Sequence, residues 1–203
     1  MRAICEEGGK EVRSLRREIQ REAEQLVEEF MLSANVEAAK ELIDNSIPGI
    51  FRIHPAPLPE KSAEFAEFIK TVCGFHPGDI TSRKSCLRFL SSVPEDHRKP
   101  VVMEAFLRAM ARARYSENRG PHFGLGKSVY THYTSPIRRY PDLVVHQQFM
   151  TTDLCLDKNK RRDKKELARI VTQCSEKEAL NDEAFWAAND MLKLHYLKKL
   201  VTK

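Results

Sequence analysis

One short stretch of the chain, from Thr134 to Arg139, combines hydroxyl side chains, a proline and two adjacent arginines. The fixed φ of Pro136 suits the first position of a helical turn, whose free amides Thr134 or Ser135 would cap. Such amides attract anions, and the guanidinium groups of Arg138 and Arg139 match phosphate oxygens bidentately. The pattern predicts a phosphate site. The alternative is an ordinary capped helix with solvated arginines.

The surrounding sequence extends this pattern. Residues 130–143, here called the signature segment, read YTHYTSPIRRYPDL, and residues 115–126 before them read YSENRGPHFGLG. Together these blocks resemble the signature region of the RNB family, the ribonuclease II and ribonuclease R exoribonucleases. Further segments resemble the family in the same order along the chain, and the resemblance runs from about residue 12 to the C-terminus. These segments are residues 27–35, 51–54, 175–178 and 182–184.

The resemblance implies a 3′-to-5′ exoribonuclease that hydrolyses single-stranded RNA to nucleoside monophosphates. Arg138 would be catalytic, contacting the scissile phosphate and stabilising developing charge. The alternative is an i,i+4 salt bridge from Arg138 to Asp142. The resemblance also implies that Glu29 and Asn35 lie on a helix face that meets the ribose near the cleaved end. Glu29 would accept a hydrogen bond from the ribose 2′-hydroxyl, unless Glu28 is the equivalent residue.

Other side chains are candidate substrate contacts. The resemblance places Glu183 near the exit of the active site. His122 could donate a hydrogen bond to a phosphate, and Phe123 or Tyr130 could stack on a base, although core packing is the alternative for both aromatic residues. None of the seven histidines has the H-x-H or H-E-x-x-H spacing of a metal site.

The resemblance also exposes a gap. In the family, a cluster of aspartates in the first half of the domain holds the catalytic Mg²⁺ ions, and no such cluster occurs in this sequence. We therefore expect residues 12–203 to be the C-terminal half of an RNB catalytic domain, after an N-terminal extension of residues 1–11. Such a chain would bind no metal and show no activity alone. The alternative is a non-catalytic half-domain, from a split or degenerate enzyme, that binds RNA ends or pairs with the missing half.

The composition of the chain bears on its class of partner, its redox compartment and whether it crosses a membrane. The chain has 203 residues, and its 34 lysines and arginines against 29 acidic residues give a net charge of +5, which is compatible with a nucleic-acid partner. Five scattered cysteines without a C-x-x-C pair favour a reducing cytoplasm over a disulfide framework. No apolar stretch approaches the ~20 residues that span a bilayer.

Periodicity predicts an α+β fold that is predominantly α-helical, with short strands. Exposed apolar surface left by an absent half would favour self-association. After Pro136 we expect a helix that reaches Phe149, with a kink or a restart at Pro141. The arginines at 108, 112 and 114 indicate a solvated helix face more than an RNA track. Residues 12–42 are expected to form one long helix, or two with a kink. The other expected elements are helices at residues 60–72, 81–90, 94–115 and 166–200, a strand at 50–54, and a charged loop at 158–165.

Overall fold

The computed structural model describes residues 2–5, 12–16, 20–151 and 161–201. Helices dominate and the strands are short, so the predicted α+β, mostly helical class is confirmed. The elements follow one another as β1 (Arg2–Cys5), β2 (Val12–Arg16), α1 (Glu22–Asp44), β3 (Phe51–Ile53), α2 (Pro59–Cys73), α3 (Arg83–Ser92), α4 (Lys99–Ala109), β4 (Arg114–Ser116), α5 (Tyr140–Phe149) and α6 (Lys164–Val201).

The chain divides into two compact units. The first unit comprises Met1–Ser33 and Thr172–Lys203, and the second comprises Ala34–Val171. The boundaries fall inside α1 and α6, so each of these helices contributes residues to both units.

The first unit contains an antiparallel pair of strands, β1 and β2, in which Ala3 lies opposite Leu15. The prediction that a helix begins at residue 12 is therefore wrong, because α1 begins at Glu22. Pairing with β1 satisfies the backbone of β2 and overrides its local helical spacing. Much of the apolar stripe in this unit is exposed, including Leu26, Val27, Phe30, Leu180, Phe185, Trp186, Met191, Leu194, Leu197 and Leu200.

The second unit is built around three phenylalanine rings, one each from α2, α3 and α4. The ring centroid of Phe65 lies 5.2 Å from that of Phe89 and 5.8 Å from that of Phe106. All three rings are nearly or completely buried, and aromatic pairs at this spacing add stabilisation beyond the area they bury. The helices predicted at residues 60–72 and 81–90 are confirmed as α2 and α3.

The helix predicted to reach residue 115 ends earlier, at Ala109. Met110 is extended (φ −71°, ψ 144°), and the chain then forms β4, which pairs antiparallel with β3 so that Tyr115 lies opposite Arg52. Strand pairing buries Tyr115, and this overrides the helical propensity of the alanine- and arginine-rich sequence before it. The β3–β4 pair carries Arg52 and Tyr115 to the candidate site.

A buried glutamine anchors α5. The Nε2 atom of Gln148 donates to the carbonyl of Pro48 (2.7 Å) and to that of Arg162 (3.0 Å), while its Oε1 accepts from the Arg162 amide. Residues 158–160 of the charged loop expected at residues 158–165 lie outside the described residues, and α6 begins within the rest of it at Lys164. None of the described helices is long and apolar enough to cross a membrane.

Candidate nucleic-acid interface

The centre of the signature segment is a single turn, not the start of a helix. The carbonyl of Ser135 accepts from the amides of Arg138 (3.3 Å) and Arg139 (3.0 Å), and Pro136 occupies the second position of this turn. We call residues 135–139 the signature turn. Proline is favoured at that position because its φ is already fixed.

The helix expected from Pro136 therefore begins later, at Tyr140, and that prediction is wrong. Its N-cap is Arg139, in an extended conformation (φ −123°, ψ 114°), and neither Thr134 nor Ser135 caps it. Of the two outcomes expected at Pro141, a kink or a restart, the structure shows a helix start, because α5 begins at Tyr140 and Pro141 lies in its first turn. A helix running through Pro141 would lose a hydrogen bond and clash one turn back, whereas the first turn needs no such bond.

The signature turn is held by the buried carboxylate of Asp142. Asp142 is completely buried, and its Oδ1 accepts from the Ser135 amide and from a terminal nitrogen of Arg139, both at 2.8 Å. The alternative salt bridge from Arg138 is thus not formed, because Arg139, three residues away, occupies the carboxylate. Three buried atoms of the same group find no partner among the described residues: Thr134 Oγ1, Arg139 Nε and Asp142 Oδ2.

A buried amide holds the preceding residues. Asn35 of α1 accepts hydrogen bonds at its Oδ1 from the amides of Tyr133 (2.9 Å) and Thr134 (3.2 Å). Its Nδ2 donates to Tyr130 Oη at 2.8 Å. The side chain predicted to meet the substrate is therefore engaged with the signature segment itself, which it fixes against α1.

Arg138 is exposed at the tip of the signature turn, beside the fully exposed Ile137. Of the residues that the structure describes, none gives the Arg138 side chain a hydrogen bond or an ion pair. Arg139 is different, because only 22% of its side chain is exposed and it pairs with Asp142. The two adjacent arginines thus divide into one that faces solvent and one that holds the turn.

Histidines and tyrosines pack behind the turn. The ring of Tyr130 is buried and meets those of His122 and His132 edge to face, at centroid distances of 5.5 and 5.7 Å. Tyr130 thus adopts the core-packing alternative. Burial raises its pKa. Tyr115 Oη is hydrogen-bonded to His132 Nδ1 at 2.9 Å.

Both histidines are held neutral. Burial lowers the pKa of His132 to about 3, with further lowering by the charges of Arg139 and Arg52. Burial also lowers the pKa of His122 to about 4, reinforced by His54 and Arg52. The Nδ1 of His122 accepts from the Leu125 amide at 3.2 Å, which leaves its Nε2–H as a neutral donor for the predicted phosphate contact.

Arg52 and His132 are site residues that the sequence did not single out. The guanidinium carbon of Arg52 lies 4.5 Å from the centroid of the Tyr115 ring, a cation–π geometry. Strand periodicity could have identified Arg52 in the sequence. Side chains alternate along a strand, so Arg52 lies on the opposite face of the strand pair from its neighbours Phe51 and Ile53. His132 lies inside the signature segment.

The predicted carboxylates belong to the other unit. Glu29 and Glu183 are exposed and lie in the first unit, whereas Asn35 and the signature segment lie in the second. The alternative residue, Glu28, is also exposed and accepts a hydrogen bond from Gln20. Within the second unit, the structure brings together Asn35, His122, Tyr130, Thr134, Ser135, Arg138 and Arg139.

The donor set does not fit a magnesium site. Over the described part of the chain, no group of three or more His, Cys, Asp or Glu residues is arranged to hold a metal ion. The one buried carboxylate of the signature segment, Asp142, is engaged with Ser135 and Arg139. What the arrangement offers is a rigid turn that presents a permanently charged guanidinium, with a neutral imidazole donor behind it.

Comparison with known proteins identifies the fold. The RNB domain family matches residues 2–152. The chain belongs to the RNB family. Among its RNB relatives, it is 34% identical over 192 residues to ribonuclease R of Thermotoga maritima and 39% identical over 127 residues to ribonuclease R 1 of Lactococcus lactis. These matches cover 87% and 62% of this chain, but 26% and 16% of the relatives.

A solved RNB structure agrees with the sequence comparison. Mycoplasma genitalium RNase R in complex with ribose methylated single-stranded RNA superposes with a TM-score of 0.88 and 26% identity, over 98% of this chain and 32% of that one. The chain thus spans about a quarter of the length of its Thermotoga relative and about a third of the solved protein.

Proposed function

We propose that this chain is the phosphate-binding part of a 3′-to-5′ exoribonuclease that hydrolyses single-stranded RNA to nucleoside monophosphates. One observation carries the proposal: Arg138 stands exposed on the signature turn, which buried Asp142 holds at Ser135 and buried Asn35 holds through the residue just before it. Because the backbone is fixed, only the side-chain rotamers of Arg138 remain to be ordered when it binds a phosphate, and a guanidinium keeps its charge there. The solved Mycoplasma relative in complex with single-stranded RNA supports the substrate class.

Arg138 would supply charge stabilisation in this reaction. As a phosphodiester is cleaved, negative charge grows on the non-bridging oxygens, and a fixed cation stabilises that state more than the ground state. The Nε2–H of His122 is a second, uncharged donor. We assign Glu29 to the ribose 2′-hydroxyl and Glu183 to the exit side, on the family resemblance.

The metal chemistry would reside outside this chain. In the complete domain, Mg²⁺ held by aspartates would activate the attacking water, whereas the described donors here do not form such a site. A non-catalytic half-domain that binds RNA ends is therefore the second candidate, and the same missing donor group favours it. In either case, the expected partners are single-stranded RNA and the missing N-terminal half.

The proposal also covers the cellular location of the protein and the surfaces with which it associates. Cys73, Cys86 and Cys174 are free thiols, which supports a reducing, cytoplasmic location. The exposed apolar side chains of the first unit support contact with the missing half, or self-association in its absence.

Binding and cleavage assays on the purified chain test the proposal. We expect no magnesium-dependent release of nucleoside monophosphates, together with weak, sequence-independent binding of single-stranded RNA. On a log–log plot of affinity against salt, each phosphate contact contributes about −0.7 to the slope. Arg138→Ala should remove one such increment, and Arg108→Ala is the matched control because this exposed arginine on α4 pairs with Glu104.

Processive degradation that Arg138→Ala abolishes would overturn the assignment of this chain as an incomplete site. Affinity that does not change with salt, or that Arg108→Ala lowers as much as Arg138→Ala, would contradict the phosphate role of Arg138.

A further inference from the structure

We propose that Asp142 is a positioning residue, whose buried carboxylate fixes the signature turn and thereby presents Arg138 to phosphate. The inference rests on the proposed function for the phosphate contact alone. The role of Asp142 in the turn follows from the geometry of the described residues.

The carboxylate joins both ends of the signature turn. Its Oδ1 accepts from the amide of Ser135, where the turn begins, and from the side chain of Arg139, where it ends. The Ser135 carbonyl closes the same turn from the backbone side. One oxygen atom therefore fixes the residues on either side of Arg138, which itself makes no such contact.

Burial makes this arrangement rigid. Asp142 has no exposed surface, so water does not compete for its Oδ1, and a charged acceptor forms stronger hydrogen bonds than a neutral one. Its place in the first turn of α5 adds the favourable interaction of a carboxylate with a helix N-terminus. Rigidity at this point matters because Arg138 is exposed, and motion of the backbone would add to the orientations that its side chain samples.

The pairing also assigns different roles to the two arginines. Arg139 neutralises a carboxylate that would otherwise repel phosphate, and it is thereby committed to Asp142. Arg138 remains directed to solvent. On this assignment, loss of the Asp142 charge changes how Arg138 binds phosphate although the two side chains do not touch.

Asp142→Asn tests the proposal, because asparagine keeps the size of the side chain and removes its charge. The matched control is Asp190→Asn, a change of the same type at an exposed aspartate on α6 that pairs with Lys193. The first measurement is amide hydrogen exchange without RNA. We expect the Ser135 and Arg139 amides to exchange about tenfold faster in Asp142→Asn and at the wild-type rate in Asp190→Asn.

The second measurement is the salt dependence of binding to a labelled single-stranded RNA. Asp142→Asn combined with Arg139→Gln also removes the arginine charge that loss of the carboxylate would release. This variant should lose the same increment of slope as Arg138→Ala, about 0.7, and adding Arg138→Ala to it should cause no further loss. A merely structural role for Asp142 would lower the folded fraction and leave this slope unchanged.

The outcomes separate the two proposals. Unchanged exchange at Ser135 and Arg139, or an unchanged slope where Arg138→Ala lowers it, overturns the positioning role. A wild-type chain that does not bind RNA contradicts the proposed function, and hydrogen exchange alone then decides whether Asp142 fixes the turn. If Asp142→Asn does not fold, the double variant Asp142→Asn with Arg139→Gln takes its place. This variant removes both charges together and so leaves no unpaired buried charge. The same two measurements are then made on it.

Discussion

Asn35 in α1 and Tyr130 in the signature segment are joined by a 2.8 Å hydrogen bond from Nδ2 to Oη, although 95 positions separate them in the sequence. The same amide accepts from the backbone at Tyr133 and Thr134. Because Asn35 is buried, any replacement that cannot accept leaves two amides without a partner in the interior.

We therefore predict that Asn35→Ala lowers the free energy of unfolding by about 3 kcal/mol, the cost of unsatisfied buried amides. Urea denaturation followed by circular dichroism measures this change. The control is Asn45→Ala, whose exposed side chain bonds only within its own helix turn at Glu41 and should stay within about 0.5 kcal/mol of wild type. Equal effects of the two substitutions would contradict the anchoring role of Asn35.

Stability should depend on pH through the buried histidines. The folded-state pKa is about 3 for His132 and about 4 for His122, below the ordinary value of 6.5. The unfolded chain thus binds more protons over this interval, so stability is complete above about pH 6.5 and is lost as the pH falls toward 4. Each histidine contributes at most about 1.4 kcal/mol per pH unit.

Urea midpoints between pH 7 and pH 4.5 test this dependence. His132→Gln should flatten the curve, because glutamine does not titrate. A slope that His132→Gln does not alter would assign the acid sensitivity to other groups.

Glu29 should give the chain its preference for RNA over DNA. We expect Glu29→Ala to reduce the ratio of RNA to DNA affinity about fivefold, the value of one hydrogen bond of about 1 kcal/mol. Titration of matched RNA and DNA strands measures this ratio. Glu28→Ala decides between the two neighbouring carboxylates, and the exposed Glu24 on the same helix supplies a control as Glu24→Ala. An unaltered ratio in all three variants would remove α1 from ribose recognition.

Arg138 should act in the chemical step when the rest of the domain is present. In a complete RNB domain carrying this segment, Arg138→Ala should raise the barrier by about 2.7–4 kcal/mol, the cost of losing one preorganised transition-state donor. Single-turnover kinetics separates this effect from RNA affinity, which should fall much less. An unchanged single-turnover rate would leave Arg138 with a role in binding alone.

Local spacing predicted α2, α3 and α6 well, because the sequence of each has apolar residues at helical spacing. It failed where partners distant in the sequence decide the structure. Residues 12–16 follow a helical spacing, yet they pair with β1, and residues 114–116 continue a helix-favouring run, yet they pair with β3. Neither pairing can be read from the segment itself.

The site was predictable in residue type and not in arrangement. The signature segment indicated phosphate chemistry, but positions three and four residues before Asp142 are both within reach of its carboxylate on a helix. Only the late start of α5, at Tyr140, brings Arg139 and not Arg138 to Asp142. The contacts of Asn35 required the packing of α1, which no local pattern encodes.

The two buried side chains that hold the signature segment differ in the length of chain each must close. The hydrogen-bond partners of Asp142 precede it by 3 and 7 residues in the sequence, whereas those of Asn35 follow it by 95 to 99 residues. Loop-closure entropy makes the longer connection costlier by about 2 kcal/mol. During folding, the turn that carries Arg138 should therefore form early, from local contacts, and its attachment to α1 should form late. A refolding chain would then pass through a stage in which the turn exists before the surface that supports it.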